Sequence, residues 1–237
     1  MNKLDSNTLK ILLSSIYNKL PKKELEKLSK EIELIFFKTR VKKKKYENLW
    51  DEKDFFLITY ADSIIKKNQK NFKTLSLFLN KFCKEFNFLH ILPFFPSSSD
   101  DGFAIIDYKK IDNEHGNWKD FKEISLNFKI MTDLVINHCS SSNYLFKNFL
   151  KNSEPGCDYF FSSKKKFNGL SKVVRPRTSK LLKEIKINGS KGYVWCTFSH
   201  DQIDFNFKNP KVLILFFKII KFYIDNGAAV LRLDAVA

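Results

Sequence analysis

The sequence predicts an α/β fold: the N-terminal half of a (β/α)8 barrel, with a small insertion and a helical N-terminal extension. Three observations predict it. Short apolar, β-branched and aromatic runs alternate with helical segments from residue 55 onward, the order that builds a parallel sheet. Once the insertion at 140–192 is set aside, residues 55–237 hold about four strand–helix units of roughly 30 residues each, half of what a closed barrel needs. An open four-stranded sheet is the alternative. Finally, every candidate strand ends in polar residues, as strands do when their C-terminal rim holds a site.

The elements follow in order. Leu9, Leu12, Leu13, Ile16 and Leu20 recur at spacings of three and four, and Leu25, Leu28, Ile32, Ile35 and Phe36 resume after Pro21. That periodicity predicts two amphipathic helices over 6–38. The run Lys42 to Lys45 reads as a solvated linker. Phe55 to Tyr60, Phe88 to Phe94, Ile130 to Ile136 and Ala228 to Leu233 read as buried parallel strands. Helices are expected at about Leu75 to Phe86, Trp118 to Phe128 and Lys211 to Tyr223, the last stopped by Asn226-Gly227. Residues from about Ser140 to Gly192 read as a long irregular insertion.

Composition bounds the function. The 237 residues are 43% hydrophobic, which excludes disorder over the whole length. Lys+Arg 42 against Asp+Glu 26 gives a net charge of +16, which ordinarily raises nucleic acid as a partner. Only four of those cations are arginine (Arg40, Arg175, Arg177, Arg232), in a chain crowded with Lys, Asn, Ile and Phe. The bias is therefore read as coding bias, and nucleic acid is not expected as a partner. Cys83, Cys139, Cys157 and Cys196 have neither zinc-site nor disulfide-framework spacing. No stretch has the length of a membrane span, so reduced thiols in a cytoplasmic protein are expected, with no membrane partner.

The strand ends carry the chemistry. The first ends Thr59-Tyr60-Ala61-Asp62; the second runs through Pro96 and three serines into Asp100-Asp101-Gly102-Phe103. The third ends Asn137-His138 and the fourth Arg232-Leu233-Asp234. Each has a plain structural alternative. Asp100 and Asp101 before a glycine suit a turn, His138 suits a neutral buried imidazole, and Asp133 suits a local hydrogen bond. Arg232 and Asp234, two apart on one strand, share a face and suit an ion pair.

Taken together these residues resemble a known family. Asp133-Leu134-Val135-Ile136-Asn137-His138 and Leu231-Arg232-Leu233-Asp234-Ala235-Val236 resemble the first and second conserved regions of the α-amylase superfamily, glycoside hydrolase family 13. His90 to Tyr108, Val173 to Ser179 and Trp195 to Pro210 narrow the resemblance to the subgroup of sucrose and glucosylglycerate phosphorylases. It implies a TIM barrel with residues 1–50 as a helical extension and basic linker, 51–139 as strands one to three, 140–192 as a B-domain-like insertion, and 193–237 as the continuation to strand four. It also implies retaining transfer of an α-glucosyl unit to phosphate. Asp234 then matches the nucleophile and Arg232 the residue that orients it. Asp100 and His138 match positions that hold glucosyl hydroxyls. Phe103 and Phe198 match aromatic walls, and Gln202 a polar residue near the acceptor. Arg177, and less closely Arg175, match arginines on a loop beside the phosphate and acceptor. For the two phenylalanines, core packing is the alternative.

The implied partners are a small glucoside such as sucrose or glucosylglycerate, with phosphate as co-substrate; no metal or other cofactor is implied. The resemblance places the acid–base glutamate on a fifth strand and a further aspartate after a seventh, both beyond Ala237. The chain therefore reads as truncated after strand four by a gene break and inactive alone. The alternatives are half of a split enzyme completed by a second chain, and a non-catalytic carbohydrate-binding or basic interaction module. Ser97 and Cys139 stand where the subgroup often has tyrosine and valine, which touches fine specificity.

Overall fold

The computed structural model describes residues 6–37, 50–165, 169–175 and 177–236. The basic run at 42–45 lies outside them. In chain order the elements are α1 (Ser6–Ile16), α2 (Lys22–Phe37), β1 (Phe56–Thr59), α3 (Asn71–Phe82), β2 (Phe88–Ile91), α4 (Trp118–Ser125) and β3 (Lys129–Val135). There follow β4 (His138–Ser140), α5 (Tyr144–Leu150), β5 (Ser162–Ser163), β6 (Leu182–Ile187), β7 (Ser190–Trp195), β8 (Gln202–Asp204), α6 (Pro210–Asp225) and β9 (Ala228–Asp234).

Four strands form one parallel sheet in the order β1-β2-β3-β9. Each is joined to the next through a helix, as parallel pairing requires. One face is packed dry: Leu89 and Ile91 of β2 and Ile130 and Leu134 of β3 meet Phe72, Leu75 and Leu79 of α3, Phe121 and Ile124 of α4, and Phe216, Ile219 and Tyr223 of α6. The alternate residues point the other way. That inner face carries His90, Asp133, Arg232 and Asp234, and at β1 it leaves Phe56 and Ile58 44% and 63% exposed. These four strands do not close a barrel, and the sheet has β1 and β9 as its edges.

Local chemistry sets the helix ends. Asn117 and Asp120 form a reciprocal capping box on α4. Asn209 caps α6 ahead of Pro210, and Gly227 takes φ +105° where the helix stops. Pro21 separates α1 from α2; Leu13 of α1, Tyr17 just past its end, and Leu28 and Ile32 of α2 cluster with Ile214 of α6. The Tyr17 hydroxyl donates to the Phe207 carbonyl at 3.0 Å. No helix among the described residues is long and apolar enough to cross a membrane.

The stretch read as irregular contains ordered structure. It holds α5 and an antiparallel sheet in the order β5-β7-β6. Asn188 and Gly189 both have positive φ, 47° and 78°, the backbone of a two-residue hairpin turn. The Asn-Gly pair between Leu182–Ile187 and Ser190–Trp195 was the readable signal, obscured because Lys183, Glu184, Lys186, Ser190 and Lys191 give the segments beside it the look of a solvated loop. The short strands β4 and β8 pair antiparallel and set His138 opposite Asp204.

Candidate functional site

The loop that follows β2 presents Asp100 in a strained conformation. Asp100, Asp101 and Gly102 have φ of 58°, 47° and 101°, three consecutive residues in a region that L side chains avoid. At Gly102 a Cβ would lie 2.7 Å from the Pro93 carbonyl oxygen. Asp201 holds this loop in place: its carboxylate accepts from the hydroxyls of Ser98, Ser99 and Ser141. Burial pushes the Asp201 carboxyl up, but those donors outweigh it and hold the group below its ordinary value.

Asp100 is met by residues from β8 and β4. The Gln202 amide nitrogen donates to Asp100 Oδ2 at 2.7 Å and to His138 Nε2 at 3.0 Å. Nε2 of His138 must therefore be bare. Burial drives the imidazole pKa down to about 4, against the pull of a hydrogen bond to the Phe103 backbone and of the Asp100 charge. His138 is 1% exposed and neutral at pH 7. Below it the buried Tyr108 hydroxyl donates to the carbonyls of Val135 and His138, fixing where the chain leaves β3. The Phe198 ring packs on His138 with centroids 5.1 Å apart, and the Arg177 guanidinium carbon lies 5.5 Å from the Phe198 centroid. A cleft of about 390 Å³ is lined by Ser99, Asp100, Arg177, Thr178, Phe198 and Gln202.

A second cluster sits on the inner face of β3 and β9. Register places Arg232 beside Asp133 and Asp234 beside Val135. One guanidinium nitrogen of Arg232 donates to Asp133 Oδ1 and lies 3.1 Å from Asp234 Oδ1. The ion pair expected from the two-residue spacing exists, but Asp133 is its anchor. Asp133 is wholly buried and takes a second donor, His90 Nε2, at 2.9 Å. Burial raises the Asp234 pKa, Arg232 opposes that, and the charges of Asp133 and Asp100 add to it. An electron-rich carboxylate beside one fixed cation suits a nucleophile that must stay ionised yet reactive.

The two clusters adjoin. Phe103 links them: its backbone bonds His138, while its ring lies 5.9 Å from the Arg232 guanidinium carbon. His138, Arg232, Asp234 and Phe103 are not among the walls of the 390 Å³ cleft. Asp100 and Gln202 thus border a polar cleft, and the Arg232 cluster adjoins their group through Phe103. The Arg175 guanidinium donates to the Thr197 carbonyl at 2.7 Å and to the Ser179 carbonyl, so it fastens the loop that carries Arg177. His90 and Asp201 carry no role that the sequence motifs announce, and Asp133 none in the site. The available signal was the alternation of His90 with Leu89 and Ile91, which turns it away from the helices.

A possible metal-ligand group, Glu154, Cys157 and Asp158, lies apart from these clusters. Its two carboxylates are already paired with Lys211, at 2.9 and 3.1 Å.

Known proteins share this arrangement of elements. The family profile described as alpha amylase, catalytic domain, matches residues 83–237. A glucosylglycerate phosphorylase of Spirochaeta thermophila is 42% identical over 188 residues, covering 79% of this chain and 32% of the relative. A sucrose 6(F)-phosphate phosphorylase of Thermoanaerobacterium thermosaccharolyticum is 34% identical, covering 76% and 39%. A crystal structure of sucrose 6F-phosphate phosphorylase from Thermoanaerobacter thermosaccharolyticum superposes with a TM-score of 0.71 at 33% identity, over 79% of this chain and 40% of that one. The chain spans about a third of the length of the glucosylglycerate phosphorylases it matches.

Proposed function

The chain belongs to the α-amylase catalytic-domain family, and from that premise we propose that it carries the nucleophile half of a retaining α-glucosyl-transferring phosphorylase. The observation that supports this most is the single Arg232 nitrogen shared between buried Asp133 and half-buried Asp234, beside the Asp100–Gln202–His138 triplet. In this reading Asp234 attacks the anomeric carbon of a glucoside and Arg232 keeps it ionised and aimed. Asp100 and His138 take the ring hydroxyls, contacts that gain strength as the ring flattens toward an oxocarbenium ion. His138 offers its ring as a neutral partner, which leaves the developing positive charge to the carboxylates.

Phe103 and Phe198 wall the sugar. Gln202 orients Asp100 and His138 toward it, and Arg177 receives phosphate or the acceptor through a guanidinium fork. The glucoside is sucrose-like or glucosylglycerate-like, in keeping with what the relatives are named for. Residues 140–192 serve as the B-domain-like insertion between barrel strands three and four. The protein works in the cytoplasm, without metal or other cofactor.

Retaining transfer needs a second carboxyl group roughly 5 to 5.5 Å from the nucleophile. We assign none among the described residues. In this reading it comes with the remaining barrel strands, on continuing chain or on a second one. The 237-residue chain by itself is therefore expected to release no glucose 1-phosphate from sucrose or glucosylglycerate plus phosphate. It is expected to bind the product: calorimetric titration with glucose 1-phosphate should give a saturable heat that Asp100→Ala removes. No heat with the sugar phosphate, or saturable binding of duplex DNA in its place, would overturn the reading in favour of a basic interaction module.

A further inference from the structure

Resting on that reading of Asp234, we propose that His90 is a positioning residue for the nucleophile, acting through Asp133 and Arg232. Register builds the connection: His90 of β2 pairs with Met131 of β3, and Asp133, two residues on and on the same face, pairs with Arg232 of β9. His90 Nε2 donates to Asp133 Oδ2 at 2.9 Å, while Asp133 Oδ1 accepts from Arg232. The same Arg232 nitrogen then reaches Asp234 Oδ1 at 3.1 Å. Four side chains on three strands thus form one line ending at the nucleophile.

The physical reason lies in Asp133. A carboxylate with no exposure stays charged only when both oxygens are satisfied. Arg232 satisfies one and His90 the other. Without the His90 donor, Oδ2 is left orphaned in the sheet interior, and the Asp133 carboxylate turns toward another donor. That turn loosens its hold on the guanidinium. Arg232 is itself half-exposed, so Asp133 is what keeps it from swinging to solvent.

The charged groups facing Asp234 are Arg232 on its own strand, Asp133 on β3 and Asp100 from the loop after β2. Arg232 alone favours the ionised form. Loosening it therefore raises the proton affinity of Asp234, an effect that a mere space-filling role for His90 does not produce.

The test is a carbon-detected NMR titration of the Asp234 carboxyl in the 237-residue chain, comparing wild type, His90→Leu and His90→Gln. We expect an upward shift of about one pH unit in His90→Leu and recovery to the wild-type value in His90→Gln, whose amide restores a donor. A folded His90→Leu protein with wild-type Asp234 titration overturns the proposal. If that variant does not fold, the nitrogen spectrum of wild-type His90 decides: the proposal requires the Nε2-protonated ring, and an Nδ1-protonated ring with bare Nε2 contradicts it. Neither readout involves glucosyl transfer, so a negative result here leaves the proposed function untouched, and failure to bind glucose 1-phosphate leaves this linkage testable.

Discussion

Gly102 and His138 show how much of the site is held by single residues. A side chain at Gly102 meets both an unfavourable φ of 101° and the Pro93 carbonyl oxygen. Gly102→Ala should cost about 2 kcal/mol in urea unfolding and weaken glucose 1-phosphate binding, because Asp100 is displaced with the turn. His138 makes a different prediction. Its folded pKa of about 4 lies below the 6.5 of an unfolded histidine, so the unfolded chain takes up a proton that the folded one refuses. Stability from this group is full above pH 6.5 and is lost as pH falls toward 4, by on the order of 3 kcal/mol. Urea unfolding at pH 7, 6 and 5 should show a smaller decline in His138→Gln than in wild type. An identical decline in both would mean that the imidazole is not buried neutral.

The elements differ in how openly the sequence announced them. The strands β2 and β3 were legible as short apolar runs because they are buried; β1 and β9 were legible from their apolar runs too, but as edge strands of an open sheet they are not the buried strands expected. The helices α1, α2 and α6 were legible because their apolar spacing matches one packed side. The small antiparallel sheet was not, since Leu182–Ile187 buries only part of its length and its lysines imitate a solvated loop. For the site, Asp100, His138, Arg232 and Asp234 stood at strand ends where position alone marks them. His90 and Asp201 did not, because their meaning comes from partners 43 and about 100 residues away, a distance no local pattern spans.

The docking of α1 and α2 on α6 gives an element-scale prediction. Ile32 is buried against a small separate cluster, so Ile32→Ala should cost about 2–4 kcal/mol locally. Hydrogen exchange should then accelerate in α1 and α2 while β2 and β3 keep their protection. Loss of protection throughout would show that the extension is not a separate cooperative unit.

At the scale of the molecule, the sheet's inner face and edges dominate. Phe56, Ile58 and Leu233 are 44%, 63% and 54% exposed, and unpaired β edges recruit other strands. The net charge of +16 opposes self-association. Added salt screens that repulsion, so sedimentation velocity should show association of the purified chain rising with sodium chloride, and Ile58→Lys should suppress it. A monomer at every salt concentration would contradict this account of the edges. The proposed chemistry requires that Asp234 receive the glucosyl unit. A glycosyl fluoride needs no proton on its leaving group, so this carboxylate is testable without an acid catalyst. After incubation with 5-fluoro-α-D-glucosyl fluoride, peptide mass spectrometry should find the glucosyl adduct on the peptide holding Asp234, absent in Asp234→Asn. An adduct on another carboxylate, or none on folded wild-type protein, would contradict the account.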